Sequence, residues 1–171
     1  MHIASSNEHD RDTDESFVVS ASTATSDFDV LYQAKHRDMV RMAYFLTGSL
    51  SQAEEAVQDS FIRVLERWDK IDDHAAYLRT TVVNHCRSWH RSRLVALRRE
   101  PRLQRRGNHH DQPNEMTDAL SKLTRRRREV IVLRFYEELS LSAIATVLAI
   151  SEGTVKSTLH HALNDLKGEL Q

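Results

Sequence analysis

"LSLSAIATVLAISEGTVKSTLHHAL", residues 139–163, places two short amphipathic patterns on either side of a compact Ile-Ser turn. Ser140 is suited to cap a first helix with Leu141, Ile144, Ala145 and Leu148 on one face. Ser151 is suited to cap a second, whose inner face carries Val155, Leu159, Ala162, Leu163 and Leu166. The outward residues are Gly153, Thr154, Ser157, His160 and His161, flanked by Lys156. Small, hydrogen-bonding residues at the start of the second helix suit a recognition helix, whose N-terminal part approaches bases and phosphates in a major groove. A helix-turn-helix is therefore expected, against the plainer reading of a helical hairpin packed on its neighbours. Ala149 stands where such turns often have glycine, so a positive φ there costs on the order of 1 kcal/mol.

The rest of the 171-residue chain agrees with an all-α protein: Gly and Pro number only 4 and 2, and Val and Ile recur inside helical periods. The length allows one domain or two small ones. A single cysteine, Cys86, has nothing to pair with inside the chain, and no apolar run approaches the roughly 18 residues of a membrane span. The first residues lack both a basic start and an apolar signal core. A soluble, cytoplasmic protein with no membrane insertion is the expectation.

The net charge of −1 conceals an asymmetry. Residues 79–106 carry nine Arg against Glu100 alone, whereas residues 27–78 have ten acidic residues against six basic ones. A basic segment of this density is the footprint of polyanion contact, while the acidic segment before it repels DNA. Different stretches are thus expected to meet different partners.

Residues 1–26 are Ser/Thr/Asp-rich, with one short apolar trio at Phe17, Val18 and Val19, and are expected to form a disordered tail. From Phe28 the pattern turns helical through Leu31, Tyr32, Met39, Ala43 and Leu46 until Gly48 supplies a stop. Ser51 with Glu54 has the form of a capping box, and Val57, Phe61, Val64, Leu65 and Trp68 define the inner face of a second helix. Its polar face bears Glu55, Gln58, Asp59 and Glu66, with Ile62 among them. An isolated exposed Ile needs no explanation; alternatively, Gln58, Asp59 and Ile62 form a surface for a partner. A third helix is expected to start near His74, after the interrupting stretch "KIDDHAA".

On that helix Leu78, Val82, His85 and Trp89 cluster, opposite Thr80, Asn84, Arg87 and Arg91. Guanidinium groups bind phosphates and an amide bonds to base edges, so the second face suits nucleic acid. Cys86 and His90 have a spacing that places two ligands on one metal, yet no third and fourth ligand stand at recognisable spacing, and neither metal nor other cofactor is expected. Trp89 is expected in the core. Residues 95–114, punctuated by Pro101, Gly107 and Pro113, read as a basic linker. A second domain begins near Glu115, with Thr124 as the N-cap of a helix whose first turn holds four arginines. That charge opposes the helix dipole, so either something negative meets it or the turn is simply solvated.

"AEEAVQDSFIRVLERW", "AYLRTTVVNHCRSWHRSR" and the opening stretch, in this order and joined by a basic linker, resemble an extracytoplasmic-function sigma factor of bacterial RNA polymerase over residues 27–170. The resemblance implies two helical domains: sigma region two (27–94), a helical bundle, and sigma region four (115–171), the helix-turn-helix. It further implies that Glu55, Gln58, Asp59 and Ile62 dock on the polymerase core, whose clamp and flap the family contacts. The −10 promoter element would be met by Asp72, His74, Thr80, Asn84, Arg87 and Arg91, with Asn84 where the family holds a flipped base and Arg87 and Arg91 on the adjacent backbone. The −35 element would be met by Ser151, Thr154, Lys156, Ser157, His160 and His161. Thr158 and His161 stand where Arg is common in the family, which weakens the expected −35 grip. An anti-sigma protein is an expected partner, besides core and promoter DNA.

The competing class is a stand-alone helix-turn-helix regulator that binds operator DNA as a dimer through its N-terminal helices. It needs a second copy of the reader and a palindromic site, whereas a sigma factor carries one reader and relies on polymerase. An enzyme is remote: there is no P-loop, nucleophile elbow or Gly-rich phosphate loop, and no catalytic residue is proposed.

Overall fold

A computed structural model of the chain describes residues 12–99 and 115–169. The first half consists of α1 (Asp12–Thr47), α2 (Leu50–Leu65), a 3₁₀ turn (Trp68–Lys70) and α3 (His74–Arg99). The second consists of α4 (Glu115–Lys122), α5 (Arg125–Ile131) running directly into a π-helical segment (Val132–Tyr136), α6 (Leu141–Leu148) and α7 (Glu152–Glu169). The all-α expectation holds, with no strand among the described residues.

Helices α1, α2 and α3 pack on one another around Met39, Met42, Ala43, Leu46, Val57, Phe61, Val64, Leu78, Val82, Val83 and Cys86. At one end the Phe28, Tyr32, Phe61 and Trp68 rings meet; Phe28 lies edge-on to Phe61 at 6.0 Å and to Trp68 at 5.8 Å. Such ring pairs add to plain area burial.

Several expectations shift here. The tail expected to be disordered enters α1 at Asp12; once a helix is nucleated, each further residue adds a hydrogen bond at the cost of one residue's freedom. Residues 1–11 lie outside the described residues. Helix α2 starts two residues earlier than the Ser51–Glu54 box required. Gly48, at φ 73°, ends α1, and the side chain of Ser49 accepts from Gln52 N at 3.5 Å, so Ser51 is already helical. Leu65, expected inward, is 52 % exposed, because it lies about 80° around the helix from Val57 at 100° per residue. On α3 the buried stripe is Leu78, Val82, Val83 and Cys86; His85 and Trp89 fall at its margin. Helix α3 is clamped by α1 and α2 on one side and touched by α6 on another, so its covered sector is wider than a one-sided projection allows. Trp89 is half-buried beneath the Arg93 guanidinium, 5.4 Å from its ring centre. Finally, α3 carries on past residue 94 to Arg99, into the segment read as linker, and residues 100–114 lie outside the described residues.

In the second half, α5 and α6 pack against α7 around Val130, Leu133, Ile144, Leu148, Val155 and Ala162. Both caps form as expected: Ala143 N donates to Ser140 Oγ and Thr154 N to Ser151 Oγ, each at 3.1 Å. Between them Ala149 takes the left-handed conformation, φ 51° and ψ 51°, and Ile150 N closes the turn on Ala145 O at 3.0 Å. Thr124 occupies the N-cap position of α5, yet its side chain makes no capping bond.

The arginines of α5 find their negative partners within the chain. Arg125 and Arg126 face Glu129, Arg127 pairs with Asp165 of α7, and Arg128 donates to the carbonyls of Leu120, Ser121 and Leu123. Arg128 thereby satisfies the carbonyls left open at the end of α4.

Candidate nucleic-acid interface

On α2, Ala53, Ala56, Val57, Ser60, Phe61 and Val64 are buried. The remaining positions turn outward, so Glu55, Gln58, Asp59 and Ile62 share an exposed face, with Ile62 48 % exposed. Leu65 joins Ile62 there and gives the face a small apolar centre ringed by acids. Sequence periodicity missed Leu65, since it placed that side chain in the core.

The segment between α2 and α3 folds over the start of α3. Trp68 stacks on His74 at 3.8 Å, and the His74 ring bonds through Nε2 to Trp68 O at 3.0 Å. Asp73 caps α3 through Ala76 N at 2.9 Å. Beside this arrangement lies an open groove of about 800 Å³, lined by Glu66, Arg67, Lys70, Asp72, Tyr77 and Thr80 among others. Asp72 is exposed at its edge, whereas His74 is tied to Trp68 and holds the loop in shape. Thr80 directs its hydroxyl to Ala76 O at 2.9 Å.

Farther along α3, Asn84 and Arg91 are exposed, but Arg87 is not free. Its Nε and Nη2 donate to the two carboxylate oxygens of Glu129, at 3.0 and 2.9 Å, and both terminal nitrogens lie 3.4 Å from Leu148 O. About two turns of helix toward the N-terminus, Arg79 Nε donates to Glu137 at 2.6 Å. These two carboxylates belong to the second half of the chain. The proposed −10 set is thus divided: Asp72, Asn84 and Arg91 are open, and Arg87 is engaged.

The core flank of α3 carries no reactive chemistry. Burial, reinforced by Glu129, pushes the Cys86 thiol up to about 12, so it stays protonated. Desolvation lowers both His85 and His90, with Arg63 contributing at His85 and Arg128 at His90. His90 Nε2 donates to Leu46 O at 3.0 Å.

On α7 the separation of faces is clean. Val155 and Ala162 are fully buried, while Ser151, Gly153, Thr154, Lys156, Ser157, His160 and His161 are all exposed. Every residue singled out there lies on one open surface.

Two family models match the chain, Sigma-70 region 2 over residues 31–94 and Sigma-70, region 4 over residues 119–168. The RNA polymerase sigma-E factor of Streptomyces coelicolor is 33% identical over 153 residues, covering 84% of this chain and 86% of that protein. The ECF RNA polymerase sigma factor SigL of Mycobacterium tuberculosis is 32% identical over 158 residues, covering 82% and 87%. The chain belongs to the extracytoplasmic-function sigma factors. It is an alternative sigma factor, a transcription initiation factor of RNA polymerase. Among solved structures, the sigma factor RpoE of Bartonella quintana, in complex with the anti-sigma factor NepR, superposes with a TM-score of 0.70 at 22% identity, covering 84% of this chain and 96% of that one. CnrH in complex with the cytosolic domain of CnrY gives 0.65 at 22% identity, covering 90% and 95%. Both share the fold of this sigma factor.

The residues that sequence reasoning missed are Arg79, Glu129, Tyr136 and Glu137, which join the two sigma regions. Tyr136 OH donates to Asp38 O at 3.3 Å, its ring meets Phe45 edge-on at 5.3 Å, and Arg128 Nη1 donates to Leu46 O at 3.2 Å. The π-helical segment inserts one residue ahead of Glu137, whose N–H closes on Val132 O at 3.2 Å and not one residue later. That insertion turns the following side chains by about 100° relative to a regular helix. Nothing in the residue pattern of "VLRFY" distinguishes it from regular helix.

Proposed function

We propose that this sigma factor divides its work among three surfaces. The outer face of α2, with Glu55, Gln58, Asp59 and Ile62, docks on the polymerase core at the clamp. The groove after α2 and the outer edge of α3, with Asp72, Thr80, Asn84, Arg87 and Arg91, receive the −10 element. The exposed edge of α7, with Ser151, Thr154, Lys156, Ser157, His160 and His161, receives the −35 element while region four meets the flap. His74 acts by shaping the loop. An anti-sigma protein is the expected regulator, and the site of action is the cytoplasm; no described helix is long and apolar enough to cross a membrane.

The observation that carries the reading is the separation on α7: seven polar or small residues are exposed on one edge while Val155 and Ala162 are buried on the other. An edge made mainly of small, hydrogen-bonding and basic side chains, with Glu152 beside it in the first turn, is suited to a major groove and poorly suited to bury a protein partner. The α2 face is the opposite case, an exposed apolar centre within acidic residues, which repels DNA and suits a protein.

In vitro transcription with purified core and a promoter pool tests the whole. Ile62→Asp is expected to lower core affinity by about tenfold or more, as a charge placed at the centre of an apolar contact does. The fold should be unaffected, since Ile62 is 48 % exposed. Unchanged core affinity removes Ile62 from the docking surface. Nanomolar, palindrome-specific binding by the free protein would instead support the stand-alone regulator.

A further inference from the structure

We propose that the free sigma factor is held shut by its own carboxylates: Glu129 and Glu137 of region four occupy Arg87 and Arg79 of region two, in competition with promoter phosphate. The proposal rests on the reading of α3 as the −10 surface. A carboxylate and a phosphate offer a guanidinium the same paired-oxygen geometry, so one excludes the other. Glu129 takes Arg87 in that paired mode at 3.0 and 2.9 Å, with the two side chains only 16% and 4% accessible. The Arg79–Glu137 pair is similarly enclosed, at 17% and 8%.

The bonding around Glu129 makes the closure reversible. Arg125 Nε at 3.6 Å and Arg126 Nη1 at 3.4 Å face the same carboxylate from its own helix. When the regions separate, Glu129 keeps these partners, and Arg87 passes to water or phosphate. Neither charge is then left buried and alone, which is the event that makes breaking an enclosed ion pair expensive. Further polar contacts cross the junction: Tyr136 OH on Asp38 O, Arg128 on Leu46 O and Arg87 on Leu148 O. Beside them Phe45 meets Tyr136 edge-on and lines an apolar pocket of about 320 Å³ with Leu120, Ile131, Val132 and Phe135. The ion pairs of the junction weaken with salt, whereas its apolar part does not.

The test uses the full chain with one dye on Glu54→Cys of α2 and one on Lys167→Cys of α7, two exposed positions outside all three surfaces; Cys86 is buried and stays unlabelled. Single-molecule energy transfer then reports closure. Wild type is expected to show high transfer that falls as salt is raised. Glu137→Gln and Arg79→Glu should shift molecules to low transfer, and Arg79→Glu combined with Glu137→Arg should restore the high state. Glu129→Gln should open the chain further, with melting curves to confirm that region four remains folded.

Glu137→Gln and Glu129→Gln, the opened variants that keep both arginines, should bind a random-sequence single-stranded DNA pool severalfold more tightly than wild type, because apparent affinity scales with the fraction of molecules in the competent state. An energy-transfer distribution unchanged by all of these substitutions overturns the latch. Opening without any gain in single-strand binding overturns the claim that the latch masks a DNA surface. The underlying −10 reading fails separately, if Arg87→Ala in the polymerase holoenzyme leaves promoter use unchanged.

Discussion

Helices α3 and α7 announce themselves in the sequence in the same way, with an apolar face opposite a polar one that carries basic or amide side chains. In the folded chain they differ. The polar edge of α7 is exposed from Ser151 to His161, whereas on α3 the chain's own Glu129 and Glu137 have taken Arg87 and Arg79. A polar helix face indicates what a surface is able to bind, and it leaves open what already occupies it. The carboxylates that fill α3 lie 42 and 58 residues downstream of their arginines, beyond the reach of any periodicity.

The contrast extends to the other arginine-rich stretch, the first turn of α5. Arg128 bonds to four carbonyls, three closing α4 and one at Leu46 across the junction. Arg128→Ala should therefore destabilise region four by on the order of 3 kcal/mol, since charged hydrogen bonds are lost and carbonyls are left unpaired. Urea unfolding of the full chain measures it. A change near zero means that the turn is a solvated basic surface after all, and the distinction between α5 and the exposed edge of α7 disappears.

A smaller effect separates α3 from α7 directly. Asn84→Ala should alter base preference at one position of the −10 element by about 1 to 3 kcal/mol, as loss of a good base contact does. Lys156→Ala should weaken −35 binding evenly across sequences and reduce its salt dependence by about one counterion. A promoter-library assay at two salt concentrations reads both. Equal, sequence-independent losses from the two substitutions would put both helices on the phosphate backbone.

Within α7's own scaffold, Ala149→Gly relieves a left-handed alanine at φ 51°. It should raise the stability of region four by about 0.5 to 1 kcal/mol and leave DNA preference alone. Thermal unfolding that fails to rise shows that the turn tolerates Ala149 without strain.

The smallest expected effect is a pH dependence confined to region two. Desolvation depresses His85 and His90, so the unfolded chain takes up protons on these rings more readily than the folded one. Their contribution to stability is present above the ordinary histidine pKa and is lost as pH falls through the depressed folded values. The melting temperature should fall as pH drops from about 7.5 to about 5.5. His85→Gln should flatten that fall, because the ring nitrogen Nε2 of His85 is buried with no partner among the described residues. A parallel slope in the variant removes His85 from the account.

Much of the fold was legible because helices are specified locally. The stops and caps at Gly48, Ser140 and Ser151 act within four residues, and the apolar period of α7 sorted Val155 and Ala162 inward with the polar set outward. The helices, the outward face of α2 and the edge of α7 follow from such short-range rules, while the two sigma regions were implied by the resemblance that the three motifs carry. Where local rules gave the wrong answer, a second neighbour had intervened. Contact with α1, α2 and α6 together moved the buried stripe of α3 from His85 and Trp89 to Val83 and Cys86, and the earlier stop at Gly48 made Ser49 the cap in place of Ser51.

By itself the sequence determined an all-α chain, its two halves, and the chemistry each helix face is able to offer, since backbone periodicity and capping act over a few residues. Only the tertiary structure decided which of those faces are open. Ion pairs such as Arg87–Glu129 and Arg79–Glu137 depend on how whole helices are placed, and a single residue inserted at Val132–Tyr136 is enough to turn Glu137 toward or away from Arg79.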